Sequence, residues 1–216
     1  MKLKVCGMTE TENILQVGQL LPDYMGFIFY DKSPRDASEV LKKETVLKLP
    51  STVKKVGVFV NPSRLEVIQK ISRYQLDLIQ LHGEETPEFC EELKMYVPII
   101  KAFGVDESFD FDQTREYDRV CEHYLFDTKS ARRGGSGKRF DWKLLFNYSG
   151  KKSFFLSGGI GVQNAKSFPE MVRRFPLLQS IDVNSHFETE PGIKDVPKIK
   201  KLMQVLKQQQ DELSGK

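Results

Sequence analysis

A few residues in this sequence have the chemistry for proton transfer and anion binding, and most stand where an apolar run gives way to a turn. Cys6, in KVCGMT, ends the first run beside a glycine. An ionised thiol is a base or nucleophile, whereas a neutral one is a small buried hydrophobe, the ordinary use of an isolated cysteine. Asp127, in YLFDTKS, closes another run; its carboxyl suits general acid–base work, or else caps the next turn or pairs with Lys129. In LSGGIGVQNA an apolar run meets Gly158 and Gly159 and then a helix start with Gln163 and Asn164. Glycines let backbone N–H groups approach an anion and the helix start adds partial positive charge, although two glycines also make a plain tight turn. DVNS offers Asp182 and two further donors, Asn184 and Ser185. Arg35, in SPR, carries a fork suited to a carboxylate, and His82 ends the run DLIQLH.

These groups are positioned by eight apolar runs: 3–8, 24–30, 54–60, 77–83, 98–105, 123–129, 153–160 and 178–184. They are rich in Val, Ile, Phe and Leu with little strict alternation, as expected of parallel strands covered on both faces. Amphipathic segments separate them. Thr9 and Glu12 make a capping-box pattern, with Ile14, Val17 and Leu21 following at helical spacing. Leu65, Ile68, Ile71 and Tyr74 form a stripe after Pro62-Ser63, and Thr86-Pro87 opens a segment ending near Tyr96. Val162 to Phe175 is amphipathic, but Pro169 must bend or break it.

Eight strand–helix units without a linker predict an α/β fold: one (β/α)8 barrel domain over residues 1–216, smaller than the usual ~250 residues, with a doubly wound open sheet as the rival. In such a barrel the active site lies where strands lead into helices. Cys6, Arg35, His82, Asp127, Gly158, Gly159, Asp182, Asn184 and Ser185 all fall at that end, and the loops after strands seven and eight stand where a phosphate commonly binds. Strand six leaves the ring almost opposite strand one, so Cys6 and Asp127 could face each other across the mouth, and a substrate between them would meet one group on each side, as a general base and a general acid require. Cys90, Cys121 and His123 lie at the other end or on helices and read as structural. RRGGSGKRFDW imitates a phosphate loop, but Arg132 stands where a Walker glycine belongs and Arg139 replaces the Ser or Thr. It reads as a movable loop over the mouth, with Gly134, Gly135 and Gly137 as joints and Arg132, Arg133, Lys138 and Arg139 attracting an anion, or as a merely solvated loop.

The net charge is +3 and the basic residues are mixed with acids, which argues against a nucleic-acid surface. The basic KIKKLMQVLKQQQ has Val196, Ile199, Leu202 and Leu206 at helical spacing, so it reads as a helix with one solvated face. Three cysteines without metal-ligand spacing argue against a disulfide framework or zinc site and for a reducing compartment. With no signal-peptide pattern and no membrane-length apolar run, a cytoplasmic protein without membrane partners is expected.

The fragments KVCGMT, GFIFYDKSPR, KKVGVFVN, DLIQLHGEE, IKAFGV, LFDTKS with RGGSGKRFDW, FFLSGGIGVQNA and DVNSHFETEPGIKD, in this order, resemble the phosphoribosylanthranilate isomerase family of tryptophan biosynthesis. The resemblance implies an Amadori rearrangement of N-(5′-phosphoribosyl)anthranilate to 1-(o-carboxyphenylamino)-1-deoxyribulose 5-phosphate, needing neither metal nor organic cofactor. It implies Cys6 as the general base, Asp127 as the general acid and Arg35 as the anchor for the anthranilate carboxylate. Gly158, Gly159, Asn184 and Ser185 would hold the phosphate, Asp182 would lie near the substrate, and His82 would have a supporting role. The partner is then a small phosphorylated substrate, acting on a monomer or homodimer. One departure is His186, where family members commonly carry glycine; a left-handed backbone there would be costly. Other phosphosugar isomerases or epimerases, and a non-catalytic phosphometabolite-binding barrel, are the alternatives.

Overall fold

The computed structural model describes residues 1–129 and 141–213, and all their side chains except those of 165, 166 and 209–213. The loop reading of Arg132, Arg133, Gly134, Gly135, Gly137, Lys138 and Arg139 lies outside the described residues. Eight parallel strands close into a ring: β1 (Lys2–Val5), β2 (Tyr24–Phe29), β3 (Lys54–Phe59), β4 (Leu78–Leu81), β5 (Ile99–Val105), β6 (His123–Thr128), β7 (Phe154–Leu156) and β8 (Leu178–Val183). Each strand pairs with the next, and β8 pairs with β1 in the register Lys4 opposite Asp182. The open-sheet rival is thereby excluded.

The outer layer is less regular than the alternation suggests. Helices α1 (Thr11–Gln19), α2 (Lys43–Leu47), α3 (Arg64–Tyr74), α4 (Pro87–Leu93), α5 (Phe168–Arg174) and α6 (Val196–Leu213) cover the ring. Among the described residues after β5 and β6, 3-10 turns at Phe111–Tyr117 and Trp142–Asn147 stand in place of α-helices, each capped by an aspartate side chain, Asp110 and Asp141. Aromatic packing fills the space a helix would occupy there. Phe126 lies 5.2 Å from both Tyr148 and Phe154 and 5.3 Å from Phe111 between ring centroids.

Several local expectations shift. The cap of α1 is Glu10, not Thr9: its carboxylate accepts the N–H groups of Glu12 and Asn13, and Thr9 instead donates its hydroxyl to the Gly192 carbonyl. A carboxylate reaches two orphan donors and complements the helix dipole, which a lone hydroxyl does less well. On α3, Val67 and Tyr74 are the buried residues, while Leu65 is exposed and Ile68 and Ile71 are half-buried. Ser63 and Thr86 cap α3 and α4 as expected. The segment around Pro169 splits into a 3-10 turn (Val162–Ser167) and α5, with the proline in the first turn of α5, where its missing N–H costs nothing. In α6, Ile199, Leu202 and Leu206 are buried as the spacing predicts. A hairpin of β9 (Glu188–Glu190) and β10 (Ile193–Lys194) is inserted between β8 and α6.

Successive residues of a strand point to opposite faces of the ring. One set (Leu3, Val5, Phe27, Phe59, Ile79, Phe126, Ile181 and their neighbours) packs outward against the helices. The other (Tyr24, Val56, Val58, Leu78, Ile100, Ala102, Leu125, Phe155, with Cys6) fills the interior. Phe126→Ala should cost about 3–5 kcal/mol by opening a cavity in the outer layer, read as a lower urea midpoint at unchanged slope.

Candidate active site

The alternation that buries one residue also aims its neighbours. Val5, Leu81, Phe126 and Ile181 point outward, so Lys4, Cys6, Gln80, His82, Asp127 and Asp182 point into the ring. Cys6 and His82 follow the last residues of β1 and β4, and Asp127 and Asp182 are next to last in β6 and β8. The interior is therefore apolar toward one end and chemically armed at the carboxyl end of the strands.

Cys6 is buried, and the Lys4 ammonium, fully buried two residues earlier on the same face, acts on it by charge. Burial pushes the thiol up, and Lys4 pulls it part of the way back while Asp182 pushes it further up. Lys4 Nζ also donates to Asp182 Oδ1 at 2.9 Å. Burial raises the Asp182 carboxyl above the usual range even though Lys4 opposes it, and the charge of Asp127 adds to the rise. Asp182 thus lies close enough to act electrostatically on both Cys6 and Asp127.

Asp127 uses Oδ1 to accept the N–H of Thr128 at 2.8 Å, and its Oδ2 lies 3.5 Å from Nε2 of His82. Lys129 pairs with Asp106 at 2.7 Å, so the structural alternative of an Asp127–Lys129 pair does not form. The Gln80 amide nitrogen is 2.9 Å from His82 Nδ1. An amide donor on Nδ1 leaves the ring proton on Nε2, facing Asp127. A cavity of about 610 Å3, whose walls include His82, Lys101, Phe103 and Asp127, opens beside this pair.

Arg35 is buried and already engaged. Its Nε and Nη2 donate to the Glu188 carboxylate at 2.6 to 3.0 Å, and none of these bonds uses Nη1. Lys194, fully buried at its side chain, contacts the same carboxylate and donates to Asn184 Oδ1 at 2.7 Å. Burial alone would raise the Glu188 carboxyl, but the Arg35 hydrogen bond and the Lys194 charge outweigh it and hold it low.

Gly158 and Gly159 follow β7 in the left-handed region, at φ +88° and +63°. A Cβ on Gly158 would stand 2.3 Å from the Thr128 hydroxyl and 3.0 Å from Asp127 Oδ1, so the loop after β7 lies directly against the end of β6. Ser185 begins a 3-10 turn ending at Phe187. His186 within it is not among the positive-φ residues, so the left-handed strain expected of a non-glycine residue there does not arise. His123 bonds Ser153 at 2.7 Å, and Cys90 and Cys121 are buried in the outer core, in keeping with structural roles.

Lys4, Gln80, Glu188 and Lys194 escaped the sequence reading. Lys4 and Gln80 had a usable signal: each sits two residues before a singled-out residue, and hence on the same strand face. Glu188 and Lys194 had none, because the hairpin that brings them to Arg35 is set by tertiary contacts.

The family model described as N-(5′phosphoribosyl)anthranilate (PRA) isomerase matches residues 3–205. The chain is 44% identical over 206 residues to an N-(5′-phosphoribosyl)anthranilate isomerase of Parabacteroides distasonis, covering 94% of this chain and 92% of the relative. Its fold is similar to the crystal structure of phosphoribosyl anthranilate isomerase from Thermotoga maritima, with a TM-score of 0.82, 36% identity, and coverage of 96% of this chain and 99% of that one. A phosphoribosyl anthranilate isomerase in complex with reduced 1-(o-carboxyphenylamino)-1-deoxyribulose 5-phosphate is similar at a TM-score of 0.80 and 32% identity, with the same coverage.

Glu188→Gln should destabilise the protein by about 3 kcal/mol at neutral pH, because two buried cations lose their shared anion. A carboxyl held low in the folded state stabilises above its unfolded pKa of about 4.3, and loses that contribution as the pH falls through the lower folded value. The gap between wild type and variant in urea titrations should therefore begin to narrow only below about pH 4.3, and close once the pH falls below the lower folded value.

Proposed function

The chain belongs to the N-(5′-phosphoribosyl)anthranilate isomerase family of tryptophan biosynthesis, and from that membership we propose how its own residues carry the aldose-to-ketose rearrangement. The reaction requires a proton on the furanose ring oxygen, which opens the ring to a Schiff base. It then requires loss of the C2′ proton, giving an enolamine that tautomerises to the ketone. In our reading Asp127 protonates the ring oxygen and Cys6 removes the C2′ proton. The observation that carries this reading is their shared position on the interior face at the carboxyl end of the ring, with Asp182 acting on both.

The environment supports these roles. Burial pushes the thiol up, and the adjacent Lys4 ammonium is the group that favours the thiolate form the base requires. Asp127 has one oxygen tied to a backbone N–H and the other beside His82, so the carboxyl is oriented before substrate arrives. His82 is then a positioning residue for the acid.

The substrate spans two anchors. Its phosphate meets the N–H groups around Gly158-Gly159 and Asn184-Ser185, where left-handed glycines expose the backbone. Its carboxylate meets the Nη1 side of Arg35, while Glu188 fixes the opposite edge of the fork. Among the described residues no helix is long and apolar enough to cross a membrane.

A fluorescence assay on freshly generated phosphoribosylanthranilate tests the assignment. Cys6→Ala and Asp127→Asn should each lower kcat by roughly 10²–10⁴-fold, and Arg35→Ala should act mainly on KM. Full turnover by Cys6→Ala would return the thiol to the role of a core residue, and an unchanged KM in Arg35→Ala would remove Arg35 from the site.

A further inference from the structure

A lysine side chain with no exposure inside a barrel needs a reason. Its ammonium loses its water, and the 2.9 Å bond to Asp182 repays only part of that cost. A buried ion pair is weak grounds for stability, since apolar residues of similar volume commonly fill such positions equally well. Lys4, however, has a second partner. It stands two residues before Cys6, on the same face of β1, so its charge acts on the thiol while its Nζ donates to Asp182 Oδ1. Sulfur and carboxylate thus share one cation.

We propose that Lys4 is the positioning residue that lets Cys6 work as a base, holding the thiolate by charge while Asp182 fixes the ammonium in place. This inference rests on the reading of Cys6 as the base. During turnover the C2′ proton passes to sulfur and the thiolate becomes a thiol; Lys4 keeps its own proton throughout and transfers none. Asp182 keeps the lysine charged: burial alone would depress the ammonium, and the charges of Asp182 and Cys6 raise it above the ordinary lysine value.

The groups facing the sulfur are few. From β1 comes Lys4, from β8 Asp182, and from β10 the more distant charge of Lys194. From β2 comes Gly26, where an added Cβ would lie 2.7 Å from Sγ, while the Tyr24 hydroxyl is turned to Lys2. The sign of the effect follows. Lys4 favours the thiolate more than Asp182 disfavours it, so removing the lysine must raise the thiol pKa. Removing only the aspartate must lower it.

The test measures thiol ionisation directly, as the pH dependence of iodoacetamide alkylation in a Cys90→Ala/Cys121→Ala background, where Cys6 is the sole thiol. Lys4→Met should raise the midpoint by about one unit, a tenfold loss of thiolate at neutral pH. The acid limb of kcat/KM should move up with it. Asp182→Asn should shift the midpoint the opposite way. If Lys4→Met does not fold, Lys4→Met/Asp182→Asn removes both charges, and a smaller rise is expected. An unchanged midpoint overturns the role of Lys4 while leaving Cys6 as base intact. A midpoint that rises while the acid limb of kcat/KM stays put overturns Cys6 as the base, and the role of Lys4 with it.

Discussion

Closure of the ring into two dry layers is the constraint on which everything else here depends. Every strand must divide its residues between an outer layer under the helices and an inner layer, and the period of two leaves no choice about which residue goes where. Fixing Val5, Leu81, Phe126 and Ile181 outward fixes Lys4, Cys6, Gln80, His82, Asp127 and Asp182 inward. These inward groups therefore take their positions from strand register, such as Lys4 opposite Asp182. Rigid strand ends would give the placement that the proposed proton transfer needs.

The same closure makes charge expensive. Each buried cation in the ring or at its rim has an anion within reach: Lys4 with Asp182, Lys101 with Glu85 at 2.8 Å, and Arg35 and Lys194 with Glu188. The Lys101–Glu85 pair serves architecture. Glu85 also accepts the N–H groups of Asn61 and Gly83, and Lys101 donates to the Gly83 carbonyl, so the loop just after His82 is tied down on both sides. The Lys4–Asp182 pair differs because the charges of both partners act on the Cys6 thiol. Burial and pairing, acting in opposite directions, set the protonation states.

How much of this was legible in the sequence follows from how far apart the interacting residues lie. The eight strands and the strand-end position of each candidate were readable, because runs covered on both faces leave a local signature. The 3-10 turns after β5 and β6 were not, since a cluster of aromatic rings packs there and leaves no period to find. The cap of α1 was misread by one residue because a glutamate can outreach a threonine, which a capping-box pattern does not weigh. Arg35 was readable as an arginine at the mouth but not as a bonded one. Its partner lies 153 residues away, and nothing local in HFETE announces it.

That partner decides how Arg35 can meet an anion. Arg35 and Lys194 carry two positive charges against the single negative charge of Glu188, so the buried cluster is left with a net charge of +1. A second carboxylate arriving at the Nη1 side of Arg35 would neutralise the cluster, in a dry setting where such a charge is poorly screened. Without Glu188, two adjacent buried cations would repel each other and the arginine would have no fixed orientation. Without Lys194, the arginine would already be neutralised and its pull on a substrate weakened. The odd number of charges leaves one anion to aim the guanidinium and one positive charge in excess, which the proposed substrate carboxylate would meet.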